Sequence, residues 1–314
     1  MEPLISIVIP LYNKQKHIKK TILSVLDQTF SDFEIIVIND GSTDNSLKVL
    51  DTIEDKRLNI FSTINQGVSK ARNFGISKAV GKFIAFLDAD DIWFKHHLED
   101  LKKLQEQFPD CGLYCKAYFK KEGNLDIPSR YNSIPNDKPW KGIVEDYFKA
   151  SKINNIAWTS SVMIPKSILE DFNGFDEKIT LGAGEDTDLW IRIALNYKVA
   201  FSNKVSAIHI LDSDNRISNS NTNLRRFIDL DKYEEEAKNN PSLKTYLDLN
   251  RYSISIQYKL VKNTLKTDEY IDKINPDSLN KKQLFLLKQH PTILKLIFGM
   301  SQILKKFNIK LSSF

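Results

Sequence analysis

Lys82-Phe83-Ile84-Ala85-Phe86-Leu87-Asp88-Ala89-Asp90-Asp91 is an apolar run that stops abruptly in carboxylates. Short, aromatic and β-branched, it reads as a buried strand. Open α/β sheets bind ligands at the carboxyl ends of their strands. Three acids this close repel one another unless a cation sits among them. A hard divalent ion shared with a diphosphate meets that need. The plainer alternative is a polar loop in which Asp91 caps the next helix.

The flanking sequence extends the same pattern. Residues 4–10 and 33–38 read as buried strands, and 58–62 as a short third strand. Residues 17–28, 44–53 and 67–79 carry helical spacing between them. Four strands thus alternate with three helices, which predicts a mostly parallel sheet flanked by helices. Prolines 109, 128, 135 and 139 then make 111–140 read as irregular. An apolar run covers 160–164, and 185–196 is helical with Leu189, Trp190, Ile193 and Ala194 on one side. Residues 198–210 suggest one or two short strands. Past residue 223 the chain turns helical and lysine-rich, so 1–223 is expected as one domain and 224–314 as a basic helical region.

Bulk properties narrow the class. The 314 residues are 41% hydrophobic and 27% charged, an ordinary globular balance. No run of about 18 uncharged apolar residues exists, so no membrane-spanning helix is expected. Residues 1–4 enter a strand directly without a signal-like segment. Two cysteines, Cys111 and Cys115, lack the partners of a zinc site and fit a reduced, cytoplasmic compartment. Residues 1–223 carry 28 basic and 30 acidic side chains, net −2, while 224–314 carry 17 and 10, net +7.

Several positions carry candidate chemistry. Pro10 ends the first strand and leaves Tyr12 and Asn13 at its rim, where an aromatic can stack on a base. Asp40 falls at the second strand tip and can accept from a pyrimidine N–H. Arg72 lies inside the helix opened by Gly67, able to meet a nucleotide or its phosphates or to pair with Asp88. Gly184-Glu185-Asp186-Thr187-Asp188 enters a late helix, where a carboxylate beside a sugar acceptor can serve as general base. Asp188 is expected on the solvated side. His209 has either a structural role or a metal or phosphate role. Neither Gly-x-Gly-x-x-Gly after the first strand nor Gly-x-x-x-x-Gly-Lys-Ser/Thr occurs, which argues against dinucleotide dehydrogenases and P-loop ATPases.

In order, these motifs resemble the inverting family 2 glycosyltransferases of the GT-A fold, of the bacterial polysaccharide type. The resemblance rests on Ile7-Val8-Ile9-Pro10-Leu11-Tyr12-Asn13, Val37-Ile38-Asn39-Asp40-Gly41-Ser42-Thr43-Asp44, Gly67-Val68-Ser69-Lys70-Ala71-Arg72-Asn73, Phe86-Leu87-Asp88-Ala89-Asp90-Asp91, Gly174-Phe175-Asp176-Glu177 and Gly184-Glu185-Asp186. It covers about residues 3–215. It implies a Rossmann-like central sheet and a nucleotide-sugar pocket containing Pro10, Tyr12, Asn13, Asp40, Arg72, Asp88 and Ala89. By the same resemblance Asp90 ligates Mn²⁺ or Mg²⁺, with His209 a looser second ligand. Asp186 is then the base, with Glu185 the second choice. The implied donor is a nucleotide-diphosphate sugar, with UDP the nucleotide. The acceptor is a hydroxyl of a glycan or lipid-linked sugar, in surface polysaccharide synthesis. Two alternatives share the architecture: a catalytically silent sugar-nucleotide-binding scaffold and a sugar nucleotidyltransferase. The latter needs a Gly-rich basic loop after the first strand, which Pro10-Leu11-Tyr12-Asn13-Lys14 is not.

From 278 to 314 there are seven lysines and no acid. Within 292–311, Ile293, Leu296, Ile297, Met300, Leu304 and Phe307 recur at spacings of three and four, among Lys295, Lys305, Lys306 and Lys310. Such a helix either packs on the catalytic domain or lies on an anionic membrane face, which would make the protein peripheral on the inner leaflet. Nucleic acid is not expected, because few aromatics interleave these lysines.

Overall fold

A computed structural model describes residues 2–217 and 220–306. These residues form two compact units that divide between 217 and 220.

The first unit is built on one sheet. Four parallel strands begin it: β1 (Ile5–Leu11), β2 (Phe33–Asp40), β3 (Leu58–Thr63) and β4 (Phe83–Phe86). They lie in the order β3-β2-β1-β4. The crossovers are α1 (Ile18–Leu26), α2 (Ser46–Leu50) and α3 (Val68–Lys78). β1, β2 and β4 are almost wholly buried, which is why they read as continuous apolar runs. Ile5 pairs with both Phe33 and Phe83, and Leu11 pairs with Asn39. The tips of β1, β2 and β4 therefore open on the same edge.

The second half is mixed. The short β5 (Ile92–Trp93) leads to α4 (His97–Gln107), which buries Leu98, Leu101 and Leu104. Next comes β6 (Cys111–Glu122), twelve residues long, where the prolines had suggested irregular chain. Its first eight residues are buried, including Lys116, whose ammonium pairs with Asp100 at 3.0 Å. β7 (Leu125–Pro128) and β8 (Lys141–Ile143) are edge strands on β6 and β10. After α5 (Tyr147–Ala150), β9 (Val162–Pro165) lies antiparallel between β4 and β6. Then α6 (Lys166–Asp171) and α7 (Glu185–Asn196) precede β10 (Lys198–Ile210). β10 is one strand of thirteen residues with register shifts against β6 around 202–207. Ile208 pairs with Ile92, which brings the end of β10 beside the β4 tip. Cys111 and Cys115 are buried free thiols on β6.

The second unit is helical: α8 (Glu234–Ala237), α9 (Pro241–Leu260), α10 (Thr264–Ile271), α11 (Lys281–Lys288) and α12 (Pro291–Lys306). Asn240 caps α9 and Asn280 forms a capping box with Gln283 on α11. Tyr252, Ile256, Leu286, Leu287 and Leu294 join in its own small core. Part of the expected 292–311 helix, residues 307–311, lies outside the described residues. No helix among the described residues is long and apolar enough to cross a membrane.

His97 gives the first unit a pH dependence. Its ring is fully buried, stacks on Trp93 at 4.3 Å and shares a hydrogen bond with Ser206 through Nδ1 at 2.8 Å. Burial, and then Lys116, push its pKa well below 6.5. A depressed imidazole contributes stability above its unfolded pKa and loses it as the pH falls. Between pH 7 and 5.5 this one group should cost about 1 kcal/mol. Urea unfolding at the two pH values should show His97→Gln losing that much less than the native chain. An equal loss would contradict the assignment.

Candidate active site

The site begins at the tip of β4. Arg72, on α3, is 4% exposed and bridges two carboxylates. Its Nη2 donates to Asp88 Oδ1 at 2.8 Å and its Nη1 to Glu185 Oε1 at 3.0 Å. The guanidinium also lies 5.1 Å from the Phe175 ring centre. Burial opposes its charge, but Asp88 and Glu185 outweigh that and raise its pKa further. Strand tip, α3 and the start of α7 thus meet on one cation.

Glu185 and Asp186 are neighbours in different surroundings. Glu185 is buried, and that burial, reinforced by Asp186, raises its pKa despite Arg72. Asp186 is only half-buried. Its Oδ2 accepts from Thr159 Oγ1 at 3.3 Å and its Oδ1 from the Thr187 N–H at 2.7 Å. Gly184 starts α7 from the left-handed region, φ 101°, which a side chain resists. Three acids in the first turn face the positive end of the helix dipole.

Asp188, expected on the solvated side, is instead fully buried. Its Oδ2 accepts from Arg192 Nε at 2.9 Å. Arg192 also donates to the Phe172 and Gly174 carbonyls at 2.8 Å each. The pair ties α7 to the turn that carries Phe175. Neither does Asp91 cap a helix. It is buried, accepts from Ser160 Oγ at 2.7 Å and from the Ile210 N–H at 3.1 Å, and holds β10 to the β4 tip. Burial, with Asp90 and Asp88 adding to it, pushes its pKa well above the usual range. Ser160 Oγ also accepts from the Asp88 N–H at 3.1 Å.

Asp90 has a cation already. Lys14 Nζ meets its Oδ2 at 2.7 Å, and Ser213 Oγ donates to the same oxygen. Burial opposes its charge, yet Lys14 and Ser213 hold its pKa below the ordinary value. Its Oδ1 has no hydrogen bond among the described residues. Asp90 also borders a cavity of about 210 Å³ shared with His17, Lys20, Lys121 and Asp212.

His209 stacks on Trp158 at 4.8 Å, and its Nε2 accepts from Arg216 at 3.2 Å. Burial, then Arg216 and Lys120, push its pKa down to about 3, so the ring is neutral. Its Nδ1 is buried without a hydrogen-bond partner among the described residues. Among the described residues, no three His, Cys, Asp or Glu side chains are grouped to hold an ion. A divalent ion at Asp90 Oδ1 would therefore draw most of its ligands from phosphate and water, as Mg²⁺ usually does. One open carboxylate oxygen fits that kind of binding.

The remaining residues lie along the β1 and β2 tips. Tyr12 is 44% exposed and Pro10 partly so. Asn13 stands in the left-handed region, φ 51°, and its Oδ1 accepts from the Thr43 N–H at 2.8 Å. Asp40 is buried and accepts from the Gln66 and Gly67 N–H groups at 2.8 and 2.9 Å, fixing the entry to α3. Gly41, φ 70°, passes so near Asn65 that a Cβ would stand 2.6 Å from its backbone nitrogen. Ala89 is buried, its carbonyl accepting from Thr21. Asp88, Glu185 and Asp186 are thus gathered around Arg72, and Asp90 lies beside His209 but bonded to Lys14. Residue spacing gave no signal for Lys14, Ser160 or Ser213.

Parallel strands with acids at their carboxyl ends, followed by a mixed half, are the architecture of a GT-A glycosyltransferase. The structure resembles that of S. aureus TarS in complex with UDP-GlcNAc, with a TM-score of 0.60 and 18% identity over 92% of this chain and 76% of that one. A model described as Glycosyl transferase family 2 matches residues 6–173, and the chain belongs to that family. An uncharacterized glycosyltransferase of Rickettsia bellii is 33% identical over 73% of this chain and 32% of its own length. Another, of Rickettsia conorii, is 29% identical over 97% of this chain and 43% of its own. The chondroitin synthase of Pasteurella multocida is 31% identical over 68% of this chain and 21% of its own. The chain therefore spans less than half the length of these relatives.

Proposed function

We propose that this chain transfers a sugar, with inversion, from a UDP-sugar to a hydroxyl of a glycan or lipid-linked acceptor in surface polysaccharide synthesis. The Arg72 bridge carries the reading, because it sets the acid at the β4 tip beside the acid pair of α7. TarS has been solved with UDP and with UDP-GlcNAc, and the Pasteurella relative is a chondroitin synthase, which favours a UDP-linked donor.

Tyr12 offers its exposed ring to the base, and Asp40 and Pro10 stand at the same rim. Asp88, one oxygen held by Arg72, turns toward the ribose. Asp90 faces the diphosphate, where Mn²⁺ or Mg²⁺ would supply positive charge to the leaving group. Asp186 takes the proton from the acceptor hydroxyl. It is half-exposed and, among the described residues, its oxygens accept only from neutral donors, the Thr159 and Thr187 hydroxyls and the Thr187 N–H, whereas Glu185 is buried and bound to Arg72. The hydroxyl attacks the anomeric carbon as the bond to the diphosphate breaks, so no enzyme nucleophile is needed.

A screen of UDP-sugars with Mn²⁺, reading UDP release and UDP binding, tests this. Asp186→Asn should keep binding and lose transfer by about 10²–10⁴-fold, the share of a general base. Asp90→Ala should lose metal-dependent binding. Full transfer by Asp186→Asn would remove that residue from its role.

The second unit supports an anionic membrane as the surface where acceptor is met. On α12, Leu294 is buried while Ile293, Leu296 and Met300 are exposed on one face, and Phe285 of α11 is exposed as well. Lys281, Lys282, Lys288 and Lys295 are exposed alongside, and no acid follows residue 277. Each lysine near an anionic surface contributes about 1 kcal/mol. The chain should sediment with vesicles rich in phosphatidylglycerol and not with phosphatidylcholine alone, and Leu296→Glu with Met300→Glu should release it. Equal sedimentation of that variant would rule out this face.

A further inference from the structure

Lys14 is a buried cation that the transfer chemistry does not use. It follows the β1 tip, and its side chain is 10% exposed. Its Nζ donates to Asp90 Oδ2 at 2.7 Å and to the Asp214 carbonyl at 2.6 Å. Around it, residues 213–215 are strapped to the turn between β1 and α1. Ser213 bonds the same Asp90 oxygen, and the Asp214 carboxylate meets His17 at 2.9 Å and Lys16 at 3.0 Å. Asn215 Nδ2 donates to the Asn13 carbonyl at 3.1 Å. The strap thus closes over an ion pair whose acid is Asp90.

A divalent ion approaching Asp90 meets a carboxylate already neutralised by an ammonium a few ångströms away. Ion and ammonium compete for the same charge, and the ammonium needs no dehydration step because it is bonded already. A diphosphate changes the balance. It brings acceptor oxygens and negative charge, and a lysine on a flexible four-carbon stem can turn toward them.

Resting on the reading that Asp90 faces the donor diphosphate, we propose that Lys14 is the resident counter-ion of Asp90, exchanged onto the diphosphate when donor and divalent ion bind together. Lys14 suppresses metal binding to the empty site and makes metal and nucleotide bind cooperatively. It is a positioning residue for charge, not a group in the bond-making step.

Mn²⁺ binding, read from the electron paramagnetic resonance signal of the free ion, tests the exchange without measuring turnover. The native chain, Lys14→Met and Lys14→Gln are titrated with Mn²⁺ alone and with Mn²⁺ plus UDP. Lys14→Gln keeps hydrogen-bonding capacity toward Asp90 and Asp214, and thermal melting checks that both variants are folded. The native chain should bind Mn²⁺ at least tenfold tighter with UDP than without. Both variants should bind Mn²⁺ alone at least tenfold tighter than the native chain and lose most of the gain from UDP. Adding Asp90→Asn to either should abolish the new affinity. If both folded variants bind Mn²⁺ alone no better than the native chain while UDP still tightens binding through Asp90, the exchange is overturned and the donor reading stands. If no form binds Mn²⁺ even with UDP, both are overturned.

Discussion

The corner at the β4 tip depends on one buried guanidinium. Arg72 joins residues 88 and 185, far apart in sequence, and so fixes the strand tip, α3 and the start of α7 against one another. Arg72 and Glu185 are buried together, while Asp88 and Asp186 beside them keep a face toward solvent. Removing one partner of such a buried pair leaves charge uncompensated and typically costs about 3–5 kcal/mol. The outer flank of α7 is held by Asp188 and Arg192, which grip the 172–174 turn through its carbonyls. A helix start fixed on both flanks can present Asp186 at one position without relying on a mobile loop.

Each acid of this corner has a different partner, and the differences divide the work. Asp91 is buried and binds Ser160 and the Ile210 N–H, so it holds strands together. Asp88 shares Arg72, Asp90 has Lys14, and Glu185 sits under Arg72. That leaves Asp186, half-exposed, accepting among the described residues only from neutral donors: the Thr159 and Thr187 hydroxyls and the Thr187 N–H. The crowding of acids at 88–91 calls for positive charge, and the chain supplies it from Arg72 and Lys14.

β1, β2 and β4 were readable because parallel strands buried on both faces are uninterrupted apolar runs, as in residues 83–87 and 33–38, whereas β3 is a partly exposed edge strand. The acids ending them follow from the rule that such sheets bind ligands at their carboxyl ends. β6 was not readable. Lys116 interrupts its apolar run and looks exposed, yet Asp100 and Ser202 satisfy it in the interior. The spacing in 198–210 leaves one strand or two open, because Asn203 and Lys204 fall at a register shift inside the single strand β10. Asp188 does carry a sequence signal of its burial: Arg192, four residues on, is its ion-pair partner. Lys14 carried none, because Asp90 is 76 residues away and only the fold brings them together.

The most direct measurement is a crystal structure of the chain grown with UDP and Mn²⁺. The diphosphate should lie at Asp90 with the ion on its carboxylate, the uracil against Tyr12, and Arg72 still joined to Asp88 and Glu185. UDP bound at another face, with the Lys14–Asp90 pair unbroken and no ion on Asp90, would contradict the account.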